Sequence, residues 1–191
     1  MKEILFKDIC TPELMEGAIL NEEYTGFKED YLVLHCLVKK YKPDSFMEIG
    51  TNCGTGTQII FNAHKGMRLF SLDLPPELAH ISLQSPESEG KGNHRIGINC
   101  KSPFVQLFGD SRKYDFTKHY PIEGWFIDGE HVFENATIES KEAIKSKAKI
   151  IVWHDSDIPE VYDAIIDAFK KNKDYELFRV TDTRIAFAIK K

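Results

Sequence analysis

Short apolar runs alternate with helix-like segments from about residue 46 onward, and this alternation restricts the fold more than any other feature. The apolar runs predict seven strands, at residues 46–49, 68–72, 104–108, 124–127, 149–153, 175–180 and 184–189. Short strands separated by helices indicate a mainly parallel sheet that is covered on both faces. The last two strands are joined by Thr181-Asp182-Thr183, which suits a hairpin. We therefore expect a doubly wound α/β fold with an antiparallel C-terminal strand.

Helices are predicted before the first strand and between the later ones. One begins at Thr11-Pro12, where a capping hydroxyl precedes a proline. A second covers residues 29–41, whose apolar side chains lie close to one stripe. Further helices are expected at 57–64, at 132–147, and from a capping box of Asp157 and Glu160 to about residue 171. Residues 75–102 are rich in Pro, Ser, Gly and Asn, which predicts a long loop with one short helix.

The composition excludes several classes of protein. The 191 residues carry a formal net charge of -5, from 30 acidic and 25 basic residues, so nothing favours a nucleic acid or membrane partner. Its four cysteines are widely spaced, which argues against a zinc cluster or a dense disulfide framework. The first residues contain no apolar stretch typical of a signal peptide. We expect a cytoplasmic protein with a small-molecule ligand, and a homodimer is compatible with these features.

The first strand leads into a glycine-rich turn, Glu48-Ile49-Gly50-Thr51-Asn52-Cys53-Gly54-Thr55-Gly56. Such a turn lets a ligand approach the backbone closely and presents free N–H groups at a helix start. Its spacing differs from the G-x-G-x-x-G of dinucleotide sites, and the Gly-Lys-Ser/Thr of a phosphate loop is absent. Asp73 ends the next strand, where a carboxylate can accept both hydroxyls of a ribose. The pattern favours a nucleoside-like ligand, and the alternative is a structural turn beside a surface aspartate.

Polar residues also follow three of the later strands. These residues are Asp110-Ser111, Asp128-Gly129 and His154-Asp155. Ligands of doubly wound sheets bind at the carboxyl ends of the strands. We therefore expect these residues to share one edge of the sheet with the glycine turn and Asp73.

The motifs together resemble those of class I S-adenosylmethionine-dependent methyltransferases. Residues 46–56 are similar to the first motif of that family, in the branch reading E-I-G-T-x-x-G that includes small-molecule O-methyltransferases. Phe126-Ile127-Asp128-Gly129-Glu130-His131 and Ile151-Val152-Trp153-His154-Asp155 resemble later motifs of a subfamily with D-G-x-H and H-D. The resemblance covers roughly residues 46–189. It implies a Rossmann-like methyltransferase fold in one domain, 1–191, with an N-terminal helical segment, 1–45, and a cofactor-binding core, 46–191.

The resemblance also implies a set of cofactor contacts. Glu48 would lie near the methionine amino group, Asp73 would bind the ribose hydroxyls, and Asp110 with Ser111 would face the adenine edge. The residues expected to bind S-adenosylmethionine are Glu48, Gly50, Thr51, Asn52, Gly54, Asp73, Asp110, Ser111 and Asp128.

Carboxylates and histidines after the fourth and fifth strands of the predicted core are the candidates for chemistry. His131 or His154 can serve as a general base, with Asp128 beside them. Cation-dependent O-methyltransferases of similar fold use an aspartate after strand four and an Asp-Asn pair after strand five. The corresponding metal ligands here would be Asp128, His154 and Asp155, and this mixed set suits a transition metal better than magnesium. The sequence leaves open whether a metal is used, and a structural role for each histidine is the alternative.

The resulting hypothesis is a methyltransferase that modifies a small molecule at oxygen, with or without a divalent metal. A Rossmann-type NAD-dependent oxidoreductase is one alternative, although the glycine spacing argues against it. A module that binds S-adenosylmethionine or S-adenosylhomocysteine without catalysis is another.

Overall fold

Eight strands form a single sheet in the computed structural model, which describes residues 1–20, 27–81 and 96–191. The strands are β1 (Lys2–Ile4), β2 (Ser45–Ile49), β3 (Arg68–Asp73), β4 (Val105–Phe108), β5 (Gly124–Ile127), β6 (Ile150–Trp153), β7 (Tyr175–Val180) and β8 (Ala186–Lys190). Their order across the sheet is β1-β7-β8-β6-β5-β2-β3-β4. Strand β8 runs antiparallel to both β6 and β7, and the other neighbouring pairs are parallel. This topology confirms the doubly wound fold and its antiparallel C-terminal strand.

Strand β1 is the one strand that the sequence pattern did not predict. It contains only three residues and pairs with β7 in the register Lys2↔Phe178 to Ile4↔Val180. Lys2 and Glu3 are exposed, so the strand lacks the apolar run that marked the other seven. The N-terminal segment therefore contributes a strand to the edge of the sheet as well as helices.

Six α-helices lie in the described ranges: α1 (Phe6–Ile9), α2 (Pro12–Met15), α3 (Lys28–Tyr41), α4 (Thr55–Ala63), α5 (Phe133–Lys145) and α6 (Pro159–Phe169). Short 3-10 helices cover Pro76–Ile81 and Phe116–His119. The first of these falls within the loop predicted at 75–102, of which residues 82–95 lie outside the described part of the chain. None of the described helices has the length and apolar character needed to span a membrane.

The predicted capping box at the start of α6 was wrong. Ile158 is the N-cap, and it makes no side-chain hydrogen bond to the helix. Pro159 sets the helix start instead, because its fixed φ suits the first helical position. The Asp157 carboxylate accepts a hydrogen bond from Nε of Arg184 at 3.1 Å, so it is used elsewhere.

Apolar side chains cover both faces of the sheet. Helices α3 and α4 pack on the face that carries Phe126 and Val152, and α5 and α6 pack on the face that carries Trp125 and Trp153. The indole N–H groups of Trp125 and Trp153 donate to hydroxyls on or beside α5, each at 2.9 Å. Burying such large side chains contributes about 2 to 3 kcal/mol each. The core therefore holds the strand ends in fixed positions at the carboxyl edge.

Candidate active site

The glycine turn lies directly against the end of β5. Gly50 has φ +93°, and a Cβ atom placed on it would come within 2.0 Å of the Asp128 carbonyl oxygen. Two backbone hydrogen bonds secure the turn on either side, from the Gly50 N–H to Leu72 O and from the Asp128 N–H to Ile49 O, both 2.9 Å long. Only glycine permits this approach. The turn and Asp128, the first residue of the D-G-x-H motif, therefore pack against each other and form one side of the site.

Asp73 lies beside the turn at the end of β3. One carboxylate oxygen accepts the backbone N–H of Asn52 at 2.7 Å, and the other accepts the N–H of Leu74 at 2.7 Å. Asn52 itself adopts a left-handed conformation, with φ +44°. The Asp73 carboxylate is thereby held half-buried at the predicted position, and its contact with a ribose stays a prediction.

A buried polar network lies beneath the turn, and it joins the predicted residues Glu48 and Thr51 to three that sequence reasoning missed, Thr57, Ser71 and Gln106. The Glu48 carboxylate accepts hydrogen bonds from the hydroxyls of Thr57 and Ser71, each at 2.5 Å. The Ser71 hydroxyl also contacts that of Thr51 at 2.7 Å, and the Gln106 amide donates to Thr51 at 2.9 Å. Burial raises the pKa of Glu48 to about 8, even though Ser71 and Thr57 favour its charged form. Glu48 therefore carries a proton at neutral pH and supports the turn from below, and its predicted role beside a methionine amino group stays a prediction.

The last part of the predicted long loop is fastened to the turn. The Gly97 N–H donates to Asn52 O at 2.8 Å, and the Asn99 N–H donates to Cys53 O at 2.7 Å. A Cβ atom on Gly54 would lie 2.8 Å from the Gly97 Cα, so the two segments touch through glycines. The chain that leads into β4 therefore forms part of the same site.

Asp110 and Ser111 follow β4, and each has a partner within the protein. The Asp110 carboxylate accepts two side-chain hydrogen bonds from Arg112, at 2.7 and 2.8 Å, and these hold the pKa of Asp110 below its usual value. The Ser111 hydroxyl donates to the buried Glu139 at 2.6 Å. Burial raises the pKa of Glu139 to about 8. The predicted contact of Asp110 and Ser111 with adenine stays a prediction.

Asp128, His131, His154 and Asp155, here called the acid–histidine cluster, meet at the ends of β5 and β6. Asp155 Oδ2 lies 2.7 Å from His131 Nε2 and 2.9 Å from His154 Nδ1. Asp128 Oδ1 lies 3.9 Å from His131 Nε2 and 3.5 Å from His154 Nδ1. The structure therefore brings together every residue that the sequence singled out for chemistry.

Charge within the cluster decides its protonation. Burial alone would lower the pKa of His131, but Asp128 and Asp155 outweigh burial and raise it to about 9. Burial likewise opposes the charge of His154, yet Asp155 and Asp30 raise its pKa to about 10. Burial would favour a neutral Asp155, and the two histidines instead hold its pKa far below the usual range. Both imidazoles are consequently cationic at neutral pH and must lose a proton before either acts as a base.

Residues from distant elements surround the cluster, and sequence reasoning missed them. Asp30 and Tyr31 come from the first turn of α3, and Phe27 caps that helix. Arg184 forms ion pairs with Asp155 and Asp157, and its guanidinium lies 4.7 Å from the centroid of the Phe27 ring. One signal in the sequence marked Asp30: it occupies the same stripe of α3 as Val33 and Leu37, so an acidic side chain faces the core.

The cluster also contains a set of groups that can hold a metal ion. One ligand atom from each of Asp128, His131 and Asp155 lies within 4.8 Å of the others. Two carboxylates and an imidazole form a donor set that divalent transition metals accept. The sequence predicted His154 as the histidine ligand, whereas this three-residue group contains His131. Metal binding by His154 stays a prediction.

Similar folds occur among methyltransferases of known structure. The chain is similar to the methyltransferase PaMTH1 of Podospora anserina bound to SAH (TM-score 0.58, 11% identity, 88% of this chain and 81% of that one). It is also similar to an O-methyltransferase from Bacillus cereus in complex with SAH (0.55, 15%, 97% and 89%). A third is the O-methyltransferase TomG of Streptomyces achromogenes in complex with SAM (0.54, 13%, 91% and 82%). No protein-family pattern and no curated sequence matches the chain. These likenesses establish a Rossmann-like methyltransferase fold.

Proposed function

We propose that this chain, which has the Rossmann-like methyltransferase fold, transfers a methyl group from S-adenosylmethionine to an oxygen atom of a small molecule. One observation carries the proposal. Gly50 of the nucleoside-type turn packs on the backbone of Asp128, which also belongs to the acid–histidine cluster. A cofactor on the turn would therefore present its reactive end next to groups suited to proton transfer or metal binding.

The cofactor would lie along the carboxyl edge of the sheet. Asp73 would accept the two ribose hydroxyls, since the backbone N–H groups of Asn52 and Leu74 hold its carboxylate in place. The turn from Gly50 to Gly54 would contact the amino-acid portion, with the Glu48 network as its support. The end of β4, at Asp110 and Ser111, would lie beside the adenine. The solved structures of similar fold hold bound SAM or SAH, which supports this choice of cofactor.

In the proposed reaction, a lone pair on the acceptor oxygen attacks the methyl carbon as the carbon–sulfur bond breaks. The sulfur keeps the bonding electrons, so the products are a methyl ether or ester and S-adenosylhomocysteine. Alignment of acceptor, methyl carbon and sulfur supplies much of the acceleration. The acceptor proton must leave, and His131 or His154 can receive it when neutral. A divalent metal held by Asp128, His131 and Asp155 would act as a Lewis acid that lowers the pKa of an acceptor hydroxyl.

Calorimetry with S-adenosylhomocysteine and with NADH tests the cofactor assignment. We expect binding of the former and none of the latter. NADH binding without S-adenosylhomocysteine binding would instead support an oxidoreductase, and binding of neither would refute the proposal.

A turnover screen then tests catalysis, with hydroxylated small molecules as acceptors, in EDTA and after addition of divalent metals. Asp155→Asn should lower turnover at least about a hundredfold, because it removes a charge that contacts both imidazoles. Asp157→Asn is the matched control. Asp157 is an exposed acid, and in the described part of the chain its one ion pair is with Arg184. Binding without turnover would indicate a non-catalytic module. If EDTA has no effect on an active enzyme, the metal is excluded and the histidine base is retained.

A further inference from the structure

Aromatic rings fix the imidazole of His154 in one orientation. The side chain is 6% exposed. The Phe27 ring meets it edge-on with centroids 5.5 Å apart, the Tyr31 ring stacks on it at 6.3 Å, and the Phe126 ring lies 6.4 Å away. Because these contacts restrict rotation of the ring, its two nitrogen atoms point to different surroundings.

The Nε2 side of His154 faces Asp30, which is 2% exposed. One carboxylate oxygen of Asp30 lies 3.2 Å from His154 Nε2. The other accepts the backbone N–H of Arg184 at 2.9 Å. Asp30 therefore links α3 to the end of β6 and to the hairpin between β7 and β8. An acceptor oxygen held in this way keeps a proton on Nε2.

The Nδ1 side of His154 faces the rest of the acid–histidine cluster. This nitrogen is buried, and Asp155 Oδ2 lies 2.9 Å from it. Asp128 Oδ1 lies 3.5 Å from it. His131 Nε2 contacts the same two carboxylates, at 2.7 Å from Asp155 and 3.9 Å from Asp128. His154 Nδ1 therefore lies within 3.5 Å of one oxygen from each carboxylate of the Asp128, His131 and Asp155 group.

We propose that Asp30 is a positioning residue, which holds Nε2–H of His154 so that Nδ1 becomes a fourth ligand of a divalent transition metal. This inference rests on the metal site of the proposed function. Histidines that bind metals usually donate the other ring N–H to a carboxylate or carbonyl, which sets the tautomer and orientation of the ring. Two imidazoles with two carboxylates form a set that favours transition metals, whereas magnesium and calcium prefer oxygen ligands throughout.

Cobalt(II) titration of the purified protein, followed by visible absorption, tests the ligand set and Asp30 together. The wild type should bind cobalt with nitrogen-ligand bands and should retain it against a large excess of magnesium. Asp30→Asn keeps an oxygen for the Arg184 N–H but turns an amide donor toward Nε2, which drives the ring proton to Nδ1. Its cobalt affinity should fall about 10- to 100-fold. Glu29→Gln, an exposed charge change in the same helical turn, is the control and should bind like the wild type. Equal cobalt affinity in Asp30→Asn and the wild type would overturn the inference.

A second measurement needs no substitution, so it holds even if Asp30→Asn fails to fold. Long-range ¹H–¹⁵N correlation of the zinc-loaded wild type reads which nitrogen of each histidine carries the proton. We expect His154 to be protonated on Nε2 and metal-bound through Nδ1. A proton on Nδ1 of His154 would refute the inference. Neither measurement uses S-adenosylmethionine, so a failure of the proposed methyl transfer appears separately, as absence of S-adenosylhomocysteine binding.

Discussion

Substitution of Gly50 by alanine tests whether the close contact between the glycine turn and β5 holds the site together. A Cβ atom at this position would lie 2.0 Å from the Asp128 carbonyl oxygen and 2.7 Å from its carbon. Both are backbone atoms at the end of a buried strand, so no side-chain rotation relieves the overlap. The turn and the strand must separate by about 1.5 Å to reach ordinary contact distance.

The magnitude follows from two contributions. A left-handed conformation costs an alanine about 1 to 2 kcal/mol relative to glycine. Separation of the turn from β5 also weakens the hydrogen bonds from Gly50 N–H to Leu72 O and from Asp128 N–H to Ile49 O, each worth about 1 kcal/mol. We expect Gly50→Ala to lower the free energy of unfolding by about 3 to 4 kcal/mol.

Gly17→Ala supplies a matched control. Gly17 has φ +81°, and a Cβ atom on it would meet nothing within 4 Å. It therefore carries the conformational cost without the steric one, and should lose only about 1 to 2 kcal/mol.

Urea unfolding of the two variants and the wild type measures the difference, and calorimetry with S-adenosylhomocysteine measures the effect on the site. Gly50→Ala should also bind S-adenosylhomocysteine more weakly, whereas Gly17→Ala should bind it like the wild type. If both variants lose the same stability, the inferred close packing of the turn against the end of β5 is wrong.

Two further predictions concern the carboxylates of the site. Asp73→Ala should weaken S-adenosylhomocysteine binding at least about tenfold in calorimetry, because charged hydrogen bonds to two ribose hydroxyls are lost; an unchanged affinity would remove the ribose contact. Glu139→Gln should flatten the pH dependence of stability. The pKa of Glu139 is raised from 4.5 to about 8, so the folded protein keeps a proton that the unfolded chain releases. The wild-type free energy of unfolding should therefore fall as pH rises from about 5 to 8, by ~1.4 kcal/mol per pH unit from this residue. Urea unfolding across that range checks it, and identical slopes for variant and wild type would contradict the buried, neutral Glu139.

The order of elements could be predicted because it is recorded in local patterns. Strands β2 to β8 each coincide with an apolar run, and the glycine turn follows β2 directly. Parallel strands place their carboxyl ends on one edge, so the sequence alone predicts that Asp73, Asp128 and His154 share that edge. Strand β1 and the start of α6 were beyond this reasoning. Strand β1 has no apolar pattern. At the start of α6, the Asp157 carboxylate accepts a hydrogen bond from Arg184 and does not cap the helix.

The sequence by itself determined the doubly wound fold, the turn at Gly50 and the strand ends that carry the polar residues, since each depends on neighbours a few positions away. Only the tertiary structure decided how those polar residues are paired. Asp30 meets His154 across 124 positions of the chain and Arg184 across 154. The helical pattern can place Asp30 on the inward face of α3, but it does not identify these partners, because they depend on how helix and sheet pack. That packing determines the side of the His154 ring that faces Asp155, and with it the chemistry open to the site.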